Sequence, residues 1–191
     1  ELRFELASLG HRFRTRSDTE VVVHAWEQWG ERCVDRFRGR FAFALWDRRQ
    51  RTLFLARDRI GVKPLYYALL ADGRFVFGSE LKVITAVPQL RREINPLAVE
   101  DFFAFGYIPD PKTIYVDALK LPPAHTLTYV VGASRPRLRR YWDLAFDAGP
   151  PIRFADAVVE LRERLTDVVR MRMISEVPIG AFLSGGVDSG T

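Results

Sequence analysis

The sequence predicts an α+β chain in two parts, a layered domain of antiparallel strands and helices followed by the opening of an α/β unit. Three observations predict it. Helix-period and strand-period segments alternate up to about residue 147, a turn-rich stretch Asp147-Ala148-Gly149-Pro150-Pro151 then interrupts the pattern, and a long amphipathic run leads to a glycine loop at the end. The division drawn from this is residues 1–147 and 148–191.

Taken in order, Glu1 to Leu9 reads as an amphipathic helix with Leu2, Leu6 and Leu9 on one face and Gly10 as its stop. Ser17-Asp18-Thr19-Glu20 fits the S-x-x-E capping box, and Val22, Ala25, Trp26 and Trp29 follow at helical spacing until Gly30, so this helix is expected to pack on a sheet. From Phe41 to Trp46 both faces are apolar, as for a strand buried between layers. Asp47 to Gln50 turns the chain into a second strand, Thr52 to Ala56. Leu65 to Leu69 and Arg74 to Phe77 flank Asp72-Gly73, a hairpin dipeptide expected to place both central residues at positive φ. Glu80 to Val87 reads as helical, and Asn95-Pro96 supplies an N-cap and a first-turn proline for a helix ending near Gly106. Proline-rich loops then frame two or three short strands.

Composition narrows the function classes. With 48% apolar and 28% charged residues this is an ordinary globular sequence, and no segment approaches the roughly 18 consecutive apolar residues of a membrane helix. No membrane partner and a cytoplasmic location follow as expectations, in line with a lone cysteine, Cys33, that has no internal disulfide partner. The net charge of +5 is scattered, and its one dense cluster, Arg135 to Arg140, reads as a solvated strand edge, so no nucleic-acid partner is expected. The chain starts without Met and stops after a glycine-rich turn, so both ends read as cut.

In the second part, Phe154, Val158, Leu161, Leu165 and Val168 form an apolar stripe opposite Arg162, Arg164 and Arg170. Val177 to Leu183 then reads as a short buried strand delivering Ser184-Gly185-Gly186-Val187-Asp188-Ser189. Glycine-bared N–H groups beside a helix start attract anions, and two serine hydroxyls add donors, which suits a phosphate or pyrophosphate. The loop lacks the lysine of a Walker A motif and does not fit the dinucleotide fingerprint. Taken alone, Ser-Gly-Gly is as readily a plain turn.

Together with Glu176 to Leu183, this loop resembles the pyrophosphate-binding loop of the ATP-pyrophosphatase proteins, in the version found in the glutamine-hydrolysing asparagine synthetase family. Independently, Ser17 to Glu20, Gly39 to Asp47, Arg57-Asp58-Arg59-Ile60-Gly61-Val62-Lys63-Pro64-Leu65-Tyr66-Tyr67 and Gly78 to Lys82 resemble the class II glutamine amidotransferase domain of the same family. The resemblance implies an αββα Ntn-hydrolase-type sandwich, incomplete here, joined to the first helix, strand and PP-loop of an adenine-nucleotide alpha-hydrolase-like domain.

Its implications for site residues are specific. Asp18 would bind the α-amino group of glutamine; by residue type alone it is better read as an acid complementing a helix dipole, and only the resemblance reverses that. Phe182, Leu183, Ser184, Gly185, Gly186, Val187, Asp188 and Ser189 would hold ATP or its pyrophosphate, with Asp188 as a ligand of Mg²⁺. The implied reaction releases ammonia from glutamine through an N-terminal cysteine, and aspartate is activated by ATP as an acyl-adenylate that ammonia resolves to asparagine. Position 1 here is Glu, and Cys33 is internal, so no catalytic residue is expected in this chain, which should neither hydrolyse nor ligate by itself. With strands missing it is also expected to be poorly soluble.

Two other outcomes stay open. Phe105 to Tyr115 resembles asparagine-synthetase-like proteins of exopolysaccharide gene clusters, so the amidated carboxylate, in those or in β-lactam-forming relatives, need not be aspartate; a non-catalytic module that keeps the fold is the other. A homodimer is likewise left open. His11, His24 and His125 are too dispersed in sequence to suggest a metal site, and Phe102, Phe103 and Phe105 read as core or interdomain packing residues.

Overall fold

A computed structural model of the chain describes residues 1–146, 149–175 and 177–190. It divides into two compact units, Glu1–Leu144 and a second beginning at Ala145. The expected boundary residues Asp147 and Ala148 lie outside the described residues.

In the first unit, helices α1 (Leu2–Ser8) and α2 (Asp18–Trp29) and a 3-10 helix (Gly30–Arg36) come first. Strands β1 (Ala42–Asp47) and β2 (Thr52–Arg57) form a hairpin, and β3 (Tyr66–Leu69) and β4 (Phe75–Gly78) form a second. Helices α3 (Leu81–Thr85) and α4 (Pro96–Phe105) precede β5 (Leu119–Lys120), β6 (His125–Val130) and β7 (Arg137–Arg140). All pairings are antiparallel. One sheet has the order β1-β2-β6-β7 and the other β4-β3-β5, so the two hairpins lie in different sheets.

The period-2 alternation of the strands shows how these sheets are layered. From β2, Phe54 and Ala56 turn to a cluster with Leu6, Ala25, Cys33 and Val34 of the helices, with Trp26 packed against it. Their neighbour Leu55 turns the other way, to Leu127 and Tyr129 of its own sheet, to Tyr67 of the second sheet and to Leu65 and Leu121 at the ends of its strands. On β3, Tyr67 faces this inter-sheet core while Ala68 joins Leu70, Ile84, Leu90 and Ala118 on the far side, where α3 packs. The order is helix, sheet, sheet, helix, the αββα arrangement expected. Phe75 bridges the sheets, its ring 5.8 Å from Tyr67 and 4.9 Å from Tyr129, both stacked.

Three expectations for this unit need correction. Strand β1 is not buried between layers: it is a sheet edge, none of its residues is fully buried, and Trp46 is 49% exposed. Its apolar run reflects packing of Phe43 and Leu45 on the helical cluster, not two covered faces. The Asp72-Gly73 turn has only Gly73 at positive φ (83°), because Gly73 N–H donates to the Leu70 carbonyl and Leu70 N–H to that of Arg74, a longer loop than a two-residue hairpin. Phe102, Phe103 and Phe105 lie exposed on α4, so the core alternative for them fails. The arginine cluster, by contrast, does form an edge strand, β7.

In the second unit, α5 (Phe154–Arg172) follows the predicted stripe but has no buried residue. The strand expected over Val177 to Leu183 is absent: its described residues are exposed coil. A strand is held by ladder partners, and the described residues of this unit contain only α5 and α6 (Val187–Gly190), with none to pair it.

Candidate functional site

Asp18 stands in the first turn of α2, exposed to solvent. The cap beneath it is only half of the box that the sequence suggests. Ser17 Oγ accepts from Thr19 N–H at 3.2 Å, but Glu20 does not return to the cap residue. Its carboxylate accepts instead from the N–H groups of Arg14 (2.6 Å) and Thr15 (2.7 Å) and from the Thr15 hydroxyl (2.6 Å). Those bonds, the Arg14 amide first, bring its pKa down to about 2. The loop leading into α2 is thereby fixed to the helix, which sets where Asp18 is presented.

A second rigid feature is the turn after β2, in the segment Arg57 to Tyr67. Asp58 is buried, and its carboxylate accepts from Val62 N–H (2.9 Å) and Lys63 N–H (3.0 Å). The buried Arg57 guanidinium donates to the carbonyls of Lys63 (2.9 Å), Gly61 (2.9 Å) and Leu121 (2.6 Å) and to the Asp110 carboxylate (2.9 Å). A buried charge is tolerated only when so fully paired. Gly61 sits at φ 68°, where a Cβ would lie 2.8 Å from Pro123 and 2.9 Å from the Arg57 guanidinium. Tyr141 closes the network, its hydroxyl donating to the Arg57 carbonyl at 2.8 Å. The sequence marks this segment as a motif but does not show that Arg57 and Asp58 are its frame; two adjacent charges between apolar strands were the available signal.

The Ser184 to Ser189 loop lies in the second unit. Gly185 takes φ 76° and α6 begins at Val187. The two serines meet: Ser184 Oγ is 2.8 Å from Ser189 Oγ, and Ser184 N–H donates to Ser189 Oγ at 3.1 Å. The loop is thus folded back on itself, with Gly190 N–H donating to the Gly186 carbonyl at 3.0 Å. Phe182, Leu183, Val187 and Asp188 are exposed. A positive-φ glycine, hydroxyls and an acidic group on an open loop are chemically suited to a phosphate with its cation.

The structure also overturns the reading that the histidines are dispersed. His11 and His24, thirteen positions apart, bring their Nδ1 atoms to 3.2 Å, beside Glu27. Only the packing of the loop after α1 on α2 makes them neighbours; the His24, Glu27, Gln28 spacing on one helical face was the part visible in sequence. His125 stays apart from them, its Nδ1 2.7 Å from the Pro123 carbonyl. Cys33 is fully buried, and burial pushes its thiol up to about 12, as suits a structural cysteine.

Comparison with known proteins gives two family matches, a glutamine amidotransferase domain over residues 1–142 and an asparagine synthase domain over residues 160–191. Asparagine synthetase [glutamine-hydrolyzing] 3 of Bacillus subtilis is 39% identical over 190 residues, covering 99% of this chain and 30% of the relative. Asparagine synthetase [glutamine-hydrolyzing] 1 of the same organism is 35% identical, covering 99% of this chain and 29% of the relative. Amidase chry2 of Gibberella zeae is 32% identical, covering 93% and 26%. The chain therefore spans about a third or less of the length of these relatives. Among solved structures, the glutamine phosphoribosylpyrophosphate amidotransferase of B. subtilis with ADP and GMP is similar over 74% of this chain and 26% of its own, at 20% identity and a TM-score of 0.48.

Proposed function

Because this chain belongs to the glutamine amidotransferase domain family, we propose that the protein carrying it is a glutamine-dependent amido-ligase, an asparagine synthase that amidates aspartate with ammonia from glutamine and converts ATP to AMP and pyrophosphate. The observation that carries the reading is the order of parts. The amidotransferase match is followed, in one chain, by an asparagine synthase match that contains the folded-back Ser184 to Ser189 loop. Residues 1–147 are then the later portion of the glutamine domain and 148–191 the start of the synthetase domain.

Within this assignment Asp18, exposed at the start of α2, binds the α-amino group of glutamine as a counter-charge. The segment from Phe182 to Ser189 holds ATP: backbone N–H groups and the Ser184 and Ser189 hydroxyls face the phosphates, and Asp188 ligates Mg²⁺. Binding there exchanges the Ser184 to Ser189 contact for contacts to phosphate, so the two hydroxyls are donors held ready near one another. What ATP supplies is a leaving group for the carboxylate oxygen; what this loop supplies is neutralisation of the charge that builds on the departing pyrophosphate. The enzyme would work in the cytoplasm. No helix of the described residues is long and apolar enough to cross a membrane.

A second reading keeps the same parts with another carboxylate as acceptor. It draws support from the 32% identity to a protein named an amidase and from the Phe105 to Tyr115 segment. Exchange of labelled pyrophosphate into ATP by the full-length protein distinguishes the two. Aspartate-dependent exchange, reduced at least tenfold by Ser184→Ala or Asp188→Ala, is the expected result; exchange only with a different acid transfers the assignment to the second reading, and none with any carboxylate removes both.

A further inference from the structure

Apart from the residues assigned to glutamine and ATP, the first unit carries a cluster with metal-ligand chemistry at the corner between α1 and α2. His11 Nδ1, His24 Nδ1 and Glu27 Oε2 face one another, at 3.2 Å between the nitrogens, 2.8 Å from His24 to Glu27 and 3.6 Å from His11 to Glu27. A tetrahedral Zn²⁺ with bonds of about 2.0–2.1 Å separates its ligand atoms by roughly 3.3 Å. The three distances bracket that edge length, so the spacing of the atoms is that of three ligands of one ion.

The proton count points the same way. His11 Nε2 lies 3.0 Å from the Gln28 amide oxygen, and in the tautomer that donates there the Nδ1 lone pair faces the cluster. That lone pair faces a carboxylate oxygen and a second imidazole nitrogen, and the single Nδ1 proton of His24, already directed at Glu27, is all that separates them. A cation at the centre replaces this poorly matched contact. His24 then moves its proton to Nε2, which faces Glu20 Oε1 at 3.8 Å.

His11 thus has the Gln28 oxygen behind it at hydrogen-bond distance, the outer support that orients metal-binding histidines, and His24 has Glu20 behind it at a longer 3.8 Å. Glu20 is itself fixed by Arg14 and Thr15. The edge of Phe13 against the His24 ring, 4.7 Å between centroids, restricts that ring further. The histidine side chains are 15% and 17% exposed, and Glu27 is 55% exposed, so the site opens on one side to solvent.

We propose that His11, His24 and Glu27 form a divalent-metal site, with Zn²⁺ as the matching ion and water as its fourth ligand. The site ties the loop after α1 to α2. It is independent of the amidotransferase assignment.

The test is titration of metal-stripped, untagged full-length protein with Zn²⁺ by calorimetry, with Co²⁺ as a spectroscopic probe of tetrahedral geometry. One ion per chain bound at these residues is expected, with affinity at least tenfold weaker in His24→Gln and in the solvent-exposed Glu27→Gln, and unchanged in His125→Ala. Zn²⁺ should raise the melting temperature of the parent and not of a His11→Ala/His24→Gln double variant. Affinity unchanged by both Glu27→Gln and His24→Gln, or no saturable binding by the parent, would overturn the site. Glu27→Gln alters an exposed side chain, so its result does not depend on refolding a core.

Discussion

Cys33 shows how one buried side chain couples to pH. Its thiol is pushed up to about 12 by burial, from an ordinary 9.0, so the folded chain holds a proton that the unfolded chain releases earlier. The resulting contribution to stability is complete below pH 9 and is lost as pH rises from there towards about 12. In native protein at pH 8, Cys33 should stay unmodified by a thiol-alkylating reagent and become fully labelled in denaturant; rapid labelling of folded protein would contradict its burial. Two glycines at similar φ make a sharper comparison. At Gly73 (φ 83°) a Cβ meets nothing within 4 Å, whereas at Gly61 (φ 68°) it meets Pro123 and Arg57. Gly73→Ala should cost about 1 kcal/mol of backbone strain, and Gly61→Ala about 3 kcal/mol once the buried arginine network must shift. Denaturant midpoints of the two variants measure the difference, and equal losses would mean that the network yields easily.

Elements here are set by their ends and by which side they cover. Helix α4 has the clearest local code: Asn95 Oδ1 accepts from Leu97 N–H at 3.1 Å, Pro96 follows, and Gly106 ends the helix at φ 77°. Asn95→Ala should lower stability by about 1 kcal/mol, with Asn95→Asp nearly neutral, as read from thermal unfolding; a loss under a few tenths would show that the tertiary bridge between Ile94 and Tyr115 holds the helix start unaided. Strands obey a different logic. The Thr52 to Arg57 strand is central and buried at five of six positions, and the Ala42 to Asp47 strand, no less apolar in sequence, is an edge with none. Apolar content alone does not separate these cases, since the neighbour is supplied by a strand some seventy residues later.

At the scale of the whole molecule, the first unit has three packed clusters of buried side chains while α5 buries none of its nineteen residues. A helix held only by its own hydrogen bonds is marginal in water. In the 191-residue chain, amides of α5 should exchange with solvent orders of magnitude faster than those of β2 and β6, and protease should cut after residue 144 first. Slow exchange in α5, read by mass spectrometry, would refute this.

The sequence by itself determined the helices with side-chain caps, the hairpins, the order of the amidotransferase and synthetase segments, and the Ser184 to Ser189 loop, because capping, turn and loop chemistry are written in residues a few positions apart. Tertiary structure alone decided that β1 is an edge, that Glu20 serves the preceding loop and not its own cap, that Arg57 and Asp58 frame a turn, and that His11 meets His24. Each of these depends on a contact between residues distant in sequence or on which element happens to cover a face, and residue spacing along one chain carries no record of either.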